Sequence, residues 1–307
     1  MDRYLRAENY LERIILNNLS APVNSINNFD LTIRQAIGSY SSCDYEQAIA
    51  GFGFLDNGKF HISLDKKIIC QNSACISWAQ KLSRQFLISE NSILVTSASR
   101  ASACFRPFAV GHENLALRNG YGTMAGYIAP KNYSDPYRIF SNKHVLSPGG
   151  KPGDRVYSME NGPVNIGEVE NSLPIYSDSP NYLDLAVAKL KGYGPCNTPV
   201  TVGYRLPNKS EIVTKFGATT KSTTGEVVST KYNVPIDYNG ESAYFKNQIM
   251  IISNVTGKKF SDKGDSGSMI KTADGQFAGL LFADNDQQTF ANKSPLVIDQ
   301  LIKWGYL

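Results

Sequence analysis

Beyond about Ala101 the chain consists of short apolar stretches separated by Gly, Pro, Asn and Asp. These stretches include GTMAGYIAP, YRIFSNKHVLS, LDLAVAKL, EIVTKFGATT, GEVVSTKY, QIMIIS, GSMIK and FAGLLFA. Many short strands with frequent turn signals predict an all-β barrel or sandwich. The last stretch differs, because Ser294 and Pro295 form a typical N-cap and first-turn pair before an apolar face. We therefore expect the chain to close with a helix.

The part before Ala101 mixes helix and strand signals and predicts a small α+β unit. Apolar residues at helical spacing predict an amphipathic first helix with the face Tyr4, Ala7, Leu11, Ile14 and Ile15. The other expected elements are a short helix at Leu31–Ile37, a hairpin turning at Asp56-Asn57-Gly58, a helix at Ala74–Phe86 and a strand at Ile93–Thr96. We divide the chain into an N-terminal α+β domain, residues 1–100, and a β-rich domain, residues 101–307.

The charge balance of the chain does not indicate a nucleic-acid partner. The 307 residues carry 31 basic and 27 acidic side chains, and a net charge of +4 is too small for that.

No apolar run approaches the roughly 20 residues that span a bilayer. Charged residues interrupt the first helix, which argues against a signal peptide. Together with an odd number of cysteines, five, this favours reduced thiols in a cytoplasm.

A metal or other cofactor is not expected. Cys70 and Cys75 are too far apart for the tight C-x2-C hook of a zinc site, and the three histidines are dispersed.

The motif GDSGS, Gly264 to Ser268, carries the strongest chemical signal. A hydroxyl attacks a carbonyl only when a base takes its proton and hydrogen-bond donors await the oxyanion. Glycine at position 264 lets the backbone turn so that the N–H groups of Gly264 and Ser266 point at one spot. A Gly-Asp-Ser-Gly turn that merely joins two strands fits the same letters.

Two further residues supply the other parts of such a site. His144 ends an apolar strand in FSNKHVLS, and Asp184 heads the apolar run Leu185 to Val187. Alone, each has a structural interpretation, a core histidine and a polar residue at a strand start. Their chain order, histidine then aspartate then serine, is that of the chymotrypsin type of triad, and it differs from the subtilisin and α/β-hydrolase orders.

With these motifs the chain from Ala101 to Leu307 resembles the trypsin-like serine peptidases of the PA clan, and among them the compact bacterial forms without disulfides. GTMAG is similar to their opening strand, SNKHV to their histidine segment, LDLAVA to their aspartate segment and GDSGS to their serine segment. The resemblance implies two six-stranded antiparallel β-barrels, a C-terminal helix and a site in the cleft between the barrels. It implies that His144 is the general base, Asp184 its orienting partner and Ser266 the nucleophile.

The sequence departs from the secreted members of this family. They begin at a cleaved apolar N-terminus whose new amine pairs with the aspartate beside the serine, and no Arg/Lys-Ile-Val-Gly-Gly junction occurs here. Asp265 must therefore find another partner or stabilise its loop directly. Activation by cleavage at such a junction is not implied.

The resemblance also suggests where a substrate binds. The pocket base lies six residues before the serine, at Phe260, where an enzyme that cuts after Lys or Arg carries aspartate. The strand Phe282, Ala283 and Asp284 should pair with the substrate backbone as an added β-strand does. The Asp284 side chain either narrows the pocket or attracts a basic group.

The sequence therefore predicts a serine endopeptidase that acts on protein or peptide substrates. Two alternatives stay open, a catalytically silent binding or scaffold protein and a nonpeptide acyl hydrolase. Residues 1–100 are expected either to dock a regulatory partner or to brace the first barrel.

Overall fold

The computed structural model describes most of the β-rich part and about half of the part before it. The described residues are 2–20, 49–55, 59–65, 82–86, 88, 92–98, 101–103, 109–112, 121–130, 135–158, 163–191, 203–238 and 240–307. All five cysteines, the predicted helix at Leu31–Ile37 and the turn residues Asp56-Asn57-Gly58 lie outside them. The thiol state expected from the sequence stays a prediction.

The described residues include seventeen strands, three helices that are labelled here and a helical segment at residues 82–86. The helices are α1 (Asp2–Ser20), α2 (Lys143–Leu146) and α3 (Ser294–Lys303). The first strands are β1 (Ile49–Phe54), β2 (Phe60–Asp65), β3 (Ile93–Ala98), β4 (Ala101–Ala103), β5 (Ala109–His112), β6 (Gly122–Thr123), β7 (Gly126–Ile128), β8 (Arg138–Ser141), β9 (Arg155–Ser158), β10 (Val164–Ser172) and β11 (Ala186–Leu190). They are followed by β12 (Ile212–Gly217), β13 (Lys221–Tyr238), β14 (Glu241–Ser253), β15 (Met269–Thr272), β16 (Phe277–Asp284) and β17 (Gln288–Lys293).

The first sheet has the order β6-β5-β9-β10-β11-β8-β7, with antiparallel neighbours throughout. Its two end strands, β6 and β7, are separated along the chain only by Met124 and Ala125. The chain itself therefore joins the two ends, and β6 and β7 act as one interrupted strand in a ring of six. We call this ring the first barrel. The interior holds Ile139, Val145, Leu146, Val156, Val169, Ala186 and Ala188.

The second sheet contains another ring of six antiparallel strands, which we call the second barrel. The order β12-β15-β16-β17-β14-β13 is closed by pairing between β12 and β13, from Ile212 opposite Glu226 to Gly217 opposite Lys221. Its interior holds Val213, Val227, Ile249, Ile251, Phe260, Ile270, Ala278, Leu281 and Ala291. The prediction of a mainly β fold with two sheets and a C-terminal helix is confirmed.

The N-terminal elements attach to the second sheet. β1 pairs with β13 at Phe52 and Gly53, and β2 and β3 extend the sheet beyond β1. The predicted hairpin is present, with Phe54 opposite Phe60, and the predicted apolar face of α1 packs into the same core as Tyr244 of β14. Residues 82–86 are helical, as the sequence indicates. The division at residue 100 stays a prediction, since β14 shares a core with the elements before it and β13 pairs with β1.

The C-terminal helix begins differently from the sequence expectation. Lys293 is the N-cap residue, and Ser294 is the first helical residue with Pro295 in the first turn. The Ser294 hydroxyl donates instead to the carbonyl oxygen of Arg205, at 3.0 Å. The predicted N-cap role of Ser294 is therefore wrong, because this buried hydroxyl is used to tie α3 to the strand connection before β12. Within the described residues no helix is long and apolar enough to cross a membrane.

His61 provides a test of how the N-terminal strands are held. Its ring lies buried on β2, with Nδ1 3.2 Å from the hydroxyl of Tyr232, and burial lowers the pKa of His61 to about 4. Between pH 4 and pH 6.5 the imidazole of His61 is protonated in the unfolded chain and neutral in the folded chain. The free energy of unfolding therefore rises with pH in this window. We expect His61→Gln to remove up to about 3 kcal/mol of that rise. Urea unfolding of both chains at several pH values measures it, and equal pH slopes would contradict the assignment.

Candidate active site

His144 lies in α2, a single helical turn that follows β8 of the first barrel directly. Asn142 caps this turn, and its carbonyl oxygen accepts the amides of Val145 and Leu146 at 3.1 Å each. The imidazole is buried and packs edge-on against the ring of Tyr238, with 5.4 Å between centroids. The short strand and its abrupt turn therefore hold the histidine at the border of the first barrel.

Asp184 reaches His144 because their strands are neighbours. Ala186 of β11 lies opposite Ser141 of β8, which places the residue two before β11 beside the turn that follows β8. The Asp184 carboxylate oxygen Oδ2 is in short contact with Nδ1 of His144, and Oδ1 accepts the backbone N–H of His144 at 3.2 Å. The structure thus brings these two predicted residues together.

The second barrel also contributes to the Asp184 environment. Tyr238, at the end of β13, donates its hydroxyl to Oδ2 of Asp184 at 2.9 Å. Asn292 of β17 accepts the backbone N–H of Asp184 at 3.0 Å. Asn142 donates from its side chain to the carbonyl oxygen of Asp184, also at 3.0 Å. One buried aspartate therefore joins α2, β13 and β17.

These contacts determine the charge states of Asp184 and Tyr238. Full burial opposes the charge of Asp184, but attraction to His144 and hydrogen bonds from His144 and Tyr238 outweigh it, so the pKa of Asp184 lies below its ordinary value. Burial, followed by the adjacent carboxylate, raises the pKa of Tyr238 well above its ordinary value. Tyr238 is therefore a neutral donor and Asp184 an acceptor at neutral pH.

Ser266 lies in a glycine-rich loop that enters β15. Gly264 and Gly267 have φ angles of 107° and 92°, a region that glycine adopts without the strain of a side chain. The amide of Gly267 donates to Leu281 and that of Ser268 to Asp265. In this arrangement the Ser266 hydroxyl donates to the carbonyl oxygen of Phe282 at 3.1 Å.

The serine loop and the histidine turn meet at Gly122 of β6. A Cβ at Gly122 would lie 3.0 Å from the carbonyl oxygen of Ser266 and would overlap the side chain of Val145, the neighbour of His144. The carbonyl oxygen of Ser266 accepts the amide of Thr123 at 2.6 Å. Ser266 and His144 therefore approach the same two-residue strand, one from each barrel.

Asp265 has a buried cation as its partner. Lys215 Nζ of β12 lies 3.1 Å from Oδ2 of Asp265, and both side chains are fully shielded from solvent. Thr220 donates its hydroxyl to the same carboxylate at 2.6 Å, and the amides of Thr219 and Thr220 donate to Oδ1. The expectation that Asp265 finds a partner within the chain or stabilises its loop directly is thus answered by a buried lysine of β12.

The predicted substrate-binding residues lie in two places, the interior of the second barrel and the end of β16. Phe260 packs inside the second barrel, with Nζ of Lys215 5.9 Å from its ring centroid. Phe282, Ala283 and Asp284 form the end of β16, and the Asp284 carboxylate accepts the Ser261 hydroxyl at 3.0 Å. All four side chains are buried, and their contact with a substrate stays a prediction.

A cavity of about 370 Å³ opens beside the histidine. Its walls include His144 and Lys143 from α2, Tyr176 from the connection before Asp184, and Tyr238 and Glu241 from the β13–β14 hairpin. A cavity of similar size, about 320 Å³, lies beside the chain end around Trp304 and Tyr306 and has no triad candidate in its walls. Among the described residues, no group of three His, Cys, Asp or Glu side chains could hold a metal ion.

Two residues of this site were missed from the sequence. Tyr238 precedes the Asn-Gly of a hairpin, and nothing in that pattern marks it as a partner of Asp184. Lys215 is buried in β12 while Phe216 beside it is 56% exposed, so the strand's alternation is opposite to what hydrophobicity predicts. The need of Asp265 for a partner was the one signal that could have led to this lysine.

A scan against protein-family models and a search of curated proteins found no match to this sequence. Solved structures that are similar to this chain include bacterial serine proteases. Thermobifida fusca protease A is 18% identical over 66% of this chain and 97% of its own, with a TM-score of 0.43. Cellulomonas bogoriensis chymotrypsin is 15% identical over 64% and 93%, with a TM-score of 0.39, and Nocardiopsis protease is 18% identical over 61% and 89%, also with 0.39.

The pair of Lys215 and Asp265 leads to a prediction about the serine loop. Lys215→Met leaves the carboxylate of Asp265 buried without its cation, which costs roughly 3–5 kcal/mol when a buried pair is broken from one side. We expect this loss in the free energy of unfolding, measured by urea denaturation, together with slower reaction of Ser266 with a fluorophosphonate probe.

Two further variants control this experiment. Lys271→Met removes an exposed lysine from the adjoining strand β15 and should change stability little. Lys215→Met combined with Asp265→Asn should recover part of the loss, because no uncompensated charge remains. A cost below about 1 kcal/mol for Lys215→Met alone would show that the pair does not anchor the loop.

Proposed function

We propose that this chain is a serine endopeptidase in which Ser266 is the nucleophile, His144 the general base and Asp184 the residue that orients the histidine. The observation that carries the proposal is the buried contact between the Asp184 carboxylate and Nδ1 of His144. That contact leaves Nε2 as the ring atom to act on a hydroxyl. Ser266 lies on a glycine loop that is tied to the same strand as the histidine turn.

In the proposed reaction, Nε2 of His144 takes the Ser266 proton as Oγ attacks the scissile carbonyl carbon. The imidazolium then returns this proton to the leaving amine, and a water molecule hydrolyses the acyl-enzyme by the same route. Asp184 fixes the ring tautomer and stabilises the imidazolium while staying ionised. The low pKa of Asp184 supports this role, because a proton bound at that carboxylate would remove the charge.

The serine loop supplies the candidate donors for the oxyanion. The amides of Asp265, Gly267 and Ser268 donate to the carbonyls of Asp262, Leu281 and Asp265. The N–H groups of Gly264 and Ser266 are the ones that we assign to the oxyanion hole. One such donor contributes roughly 3–4 kcal/mol to transition-state stabilisation.

The end of β16 is the proposed binding edge for an extended substrate backbone. Phe282 accepts the Ser266 hydroxyl, so a strand added beside Ala283 and Asp284 would run directly past the nucleophile. The cavity beside His144 would then receive part of the substrate on the other side of the site. A protein or peptide substrate is the class that fits a strand-like binding edge.

One observation favours a second candidate function, a binding or scaffold protein without turnover. The hydroxyl of Ser266 donates to a main-chain carbonyl in this structure, and the side chain is buried. A nucleophile that never left this arrangement would be silent.

A fluorophosphonate probe separates the two functions. The probe phosphonylates an activated serine, so we expect labelling of the full chain at Ser266 and complete loss of labelling in Ser266→Ala. Ser222→Ala, which changes an exposed serine of β13, should label like the original chain. Undiminished labelling of Ser266→Ala would refute the nucleophile, and absence of labelling under every condition would favour the scaffold.

Tyr238 is proposed as a positioning residue for the pair of Asp184 and His144. Tyr238→Phe removes one donor to a buried carboxylate, a hydrogen bond worth roughly 1.5–3 kcal/mol, so we expect kcat for p-nitrophenyl acetate to fall about tenfold or more. KM for this ester should stay unchanged, because Tyr238 acts through Asp184 and not on the ester.

Tyr204→Phe, at an exposed tyrosine, is the matched control and should change neither quantity. A purely structural role for Tyr238 would lower the amount of folded enzyme and leave kcat per folded molecule unchanged.

A further inference from the structure

The strand β4 lies where the proposed function needs a substrate. Ala103 pairs antiparallel with Ala283, and Ser102 pairs with Asp284, so β4 is hydrogen-bonded to the end of β16. This is the edge that the preceding proposal assigns to the substrate backbone. A segment of the chain itself therefore occupies it.

The direction of β4 brings it toward the candidate nucleophile. In the antiparallel register the residue number along β4 rises as that along β16 falls, from Asp284 to Ala283. The next residue of β16 is Phe282, whose carbonyl oxygen accepts the hydroxyl of Ser266. β4 thus runs in the direction that leads from Asp284 toward Phe282, antiparallel to β16, as an extended substrate would.

The other edge of β4 is also paired. Ala101 and Ser102 lie opposite Ile236 and Asp237 of β13 in parallel register. The following residue, Tyr238, donates to the carboxylate of Asp184. β4 therefore lies between the strand that bonds the serine hydroxyl and the strand that bonds the aspartate.

The burial of the three candidate residues agrees with this occupancy. Ser266 and Asp184 are fully shielded from solvent, and His144 is 3% exposed. A peptide carbonyl must come within about 3 Å of the attacking oxygen, and no external peptide reaches a side chain with no accessible surface. The described conformation must open before an external substrate can react.

We propose that β4, residues 101–103, is an intramolecular occupant of the substrate edge that keeps the site closed until it is displaced. This inference rests on the proposed function. It also indicates a substrate class, because the occupant has only small residues, Ala101, Ser102 and Ala103. An extended peptide with small side chains would fit the same edge.

The linkage between β3 and β4 suggests how displacement occurs. Only Ser99 and Arg100 separate the end of β3 at Ala98 from the start of β4. A two-residue link spans at most about 11 Å between the Cα atoms of Ala98 and Ala101. Movement of the N-terminal strands would therefore move the occupant with them.

The test uses two probes on the full-length chain. The first is a small alkyl fluorophosphonate, which needs only Ser266. The second is an acetylated Ala-Ser-Ala tripeptide whose last residue carries a diphenyl phosphonate in place of its carboxyl group, so that the Ser266 oxygen displaces phenoxide from phosphorus; it also needs the β16 edge. Ser102→Pro removes a backbone N–H from β4, whereas Ser102→Ala keeps every backbone donor and is the matched control.

We expect Ser102→Pro to raise the labelling rate by the tripeptidyl probe at least about tenfold over Ser102→Ala, the effect of losing one or two net hydrogen bonds of the closed form. The small probe should gain less, because it does not use the edge. Ala103→Pro is the second variant and should act in the same direction. Urea unfolding confirms that each variant is folded before it is labelled.

The outcomes separate this inference from the proposed function. If both probes label Ser266 and neither proline variant is faster with the tripeptidyl probe, β4 is an ordinary structural strand and the inference is overturned. If neither probe labels any of the folded chains, the proposed function itself fails.

Discussion

The carboxylate of Asp184 has hydrogen-bond partners in both barrels. It is fully buried, and its partners come from both sides, His144 from the first barrel and Tyr238 from the second. A buried charge costs several kcal/mol unless every lone pair finds a donor. The donors of both barrels must therefore be in place together, so the position of one barrel on the other is fixed where the chemistry is proposed.

Asp265 shows the same physical problem with a different solution. Its partner is the Lys215 ammonium, whereas the partner of Asp184 is an imidazole, the side chain most often used for general acid–base catalysis. The contact of Lys215 with Asp265 ties the serine loop to β12. In the proposed function the two buried aspartates would therefore have different roles, one fixing the loop and the other orienting the base.

The β-rich architecture could be predicted because strand periodicity and turn residues are local signals. The positions of His144 and Asp184 could be predicted because each stands next to an apolar strand, and the chain order of the three residues restricts the type of site. Lys215 and Tyr238 could not be predicted, since their roles depend on contacts between distant strands. Lys215 in particular lies on the inward face of β12 against the hydrophobic pattern. The expected cap at Ser294 failed for the same reason, because a tertiary contact with Arg205 uses its hydroxyl.

The occupied edge gives the N-terminal part a physical connection to the site. β1 and β4 both pair with β13, at Phe52 and Gly53 and at Ala101 and Ser102. β13 then ends at Tyr238, the donor to Asp184. The N-terminal strands β1–β3 are consequently connected to the site by two routes, the short link from β3 to β4 and the strand that carries Tyr238. A ligand that bound these strands would change the site only if it bound the closed and open forms with different affinity. In the proposed closed form β4 is paired on both edges, so a partner that competed with it for β13 or β16 would favour opening.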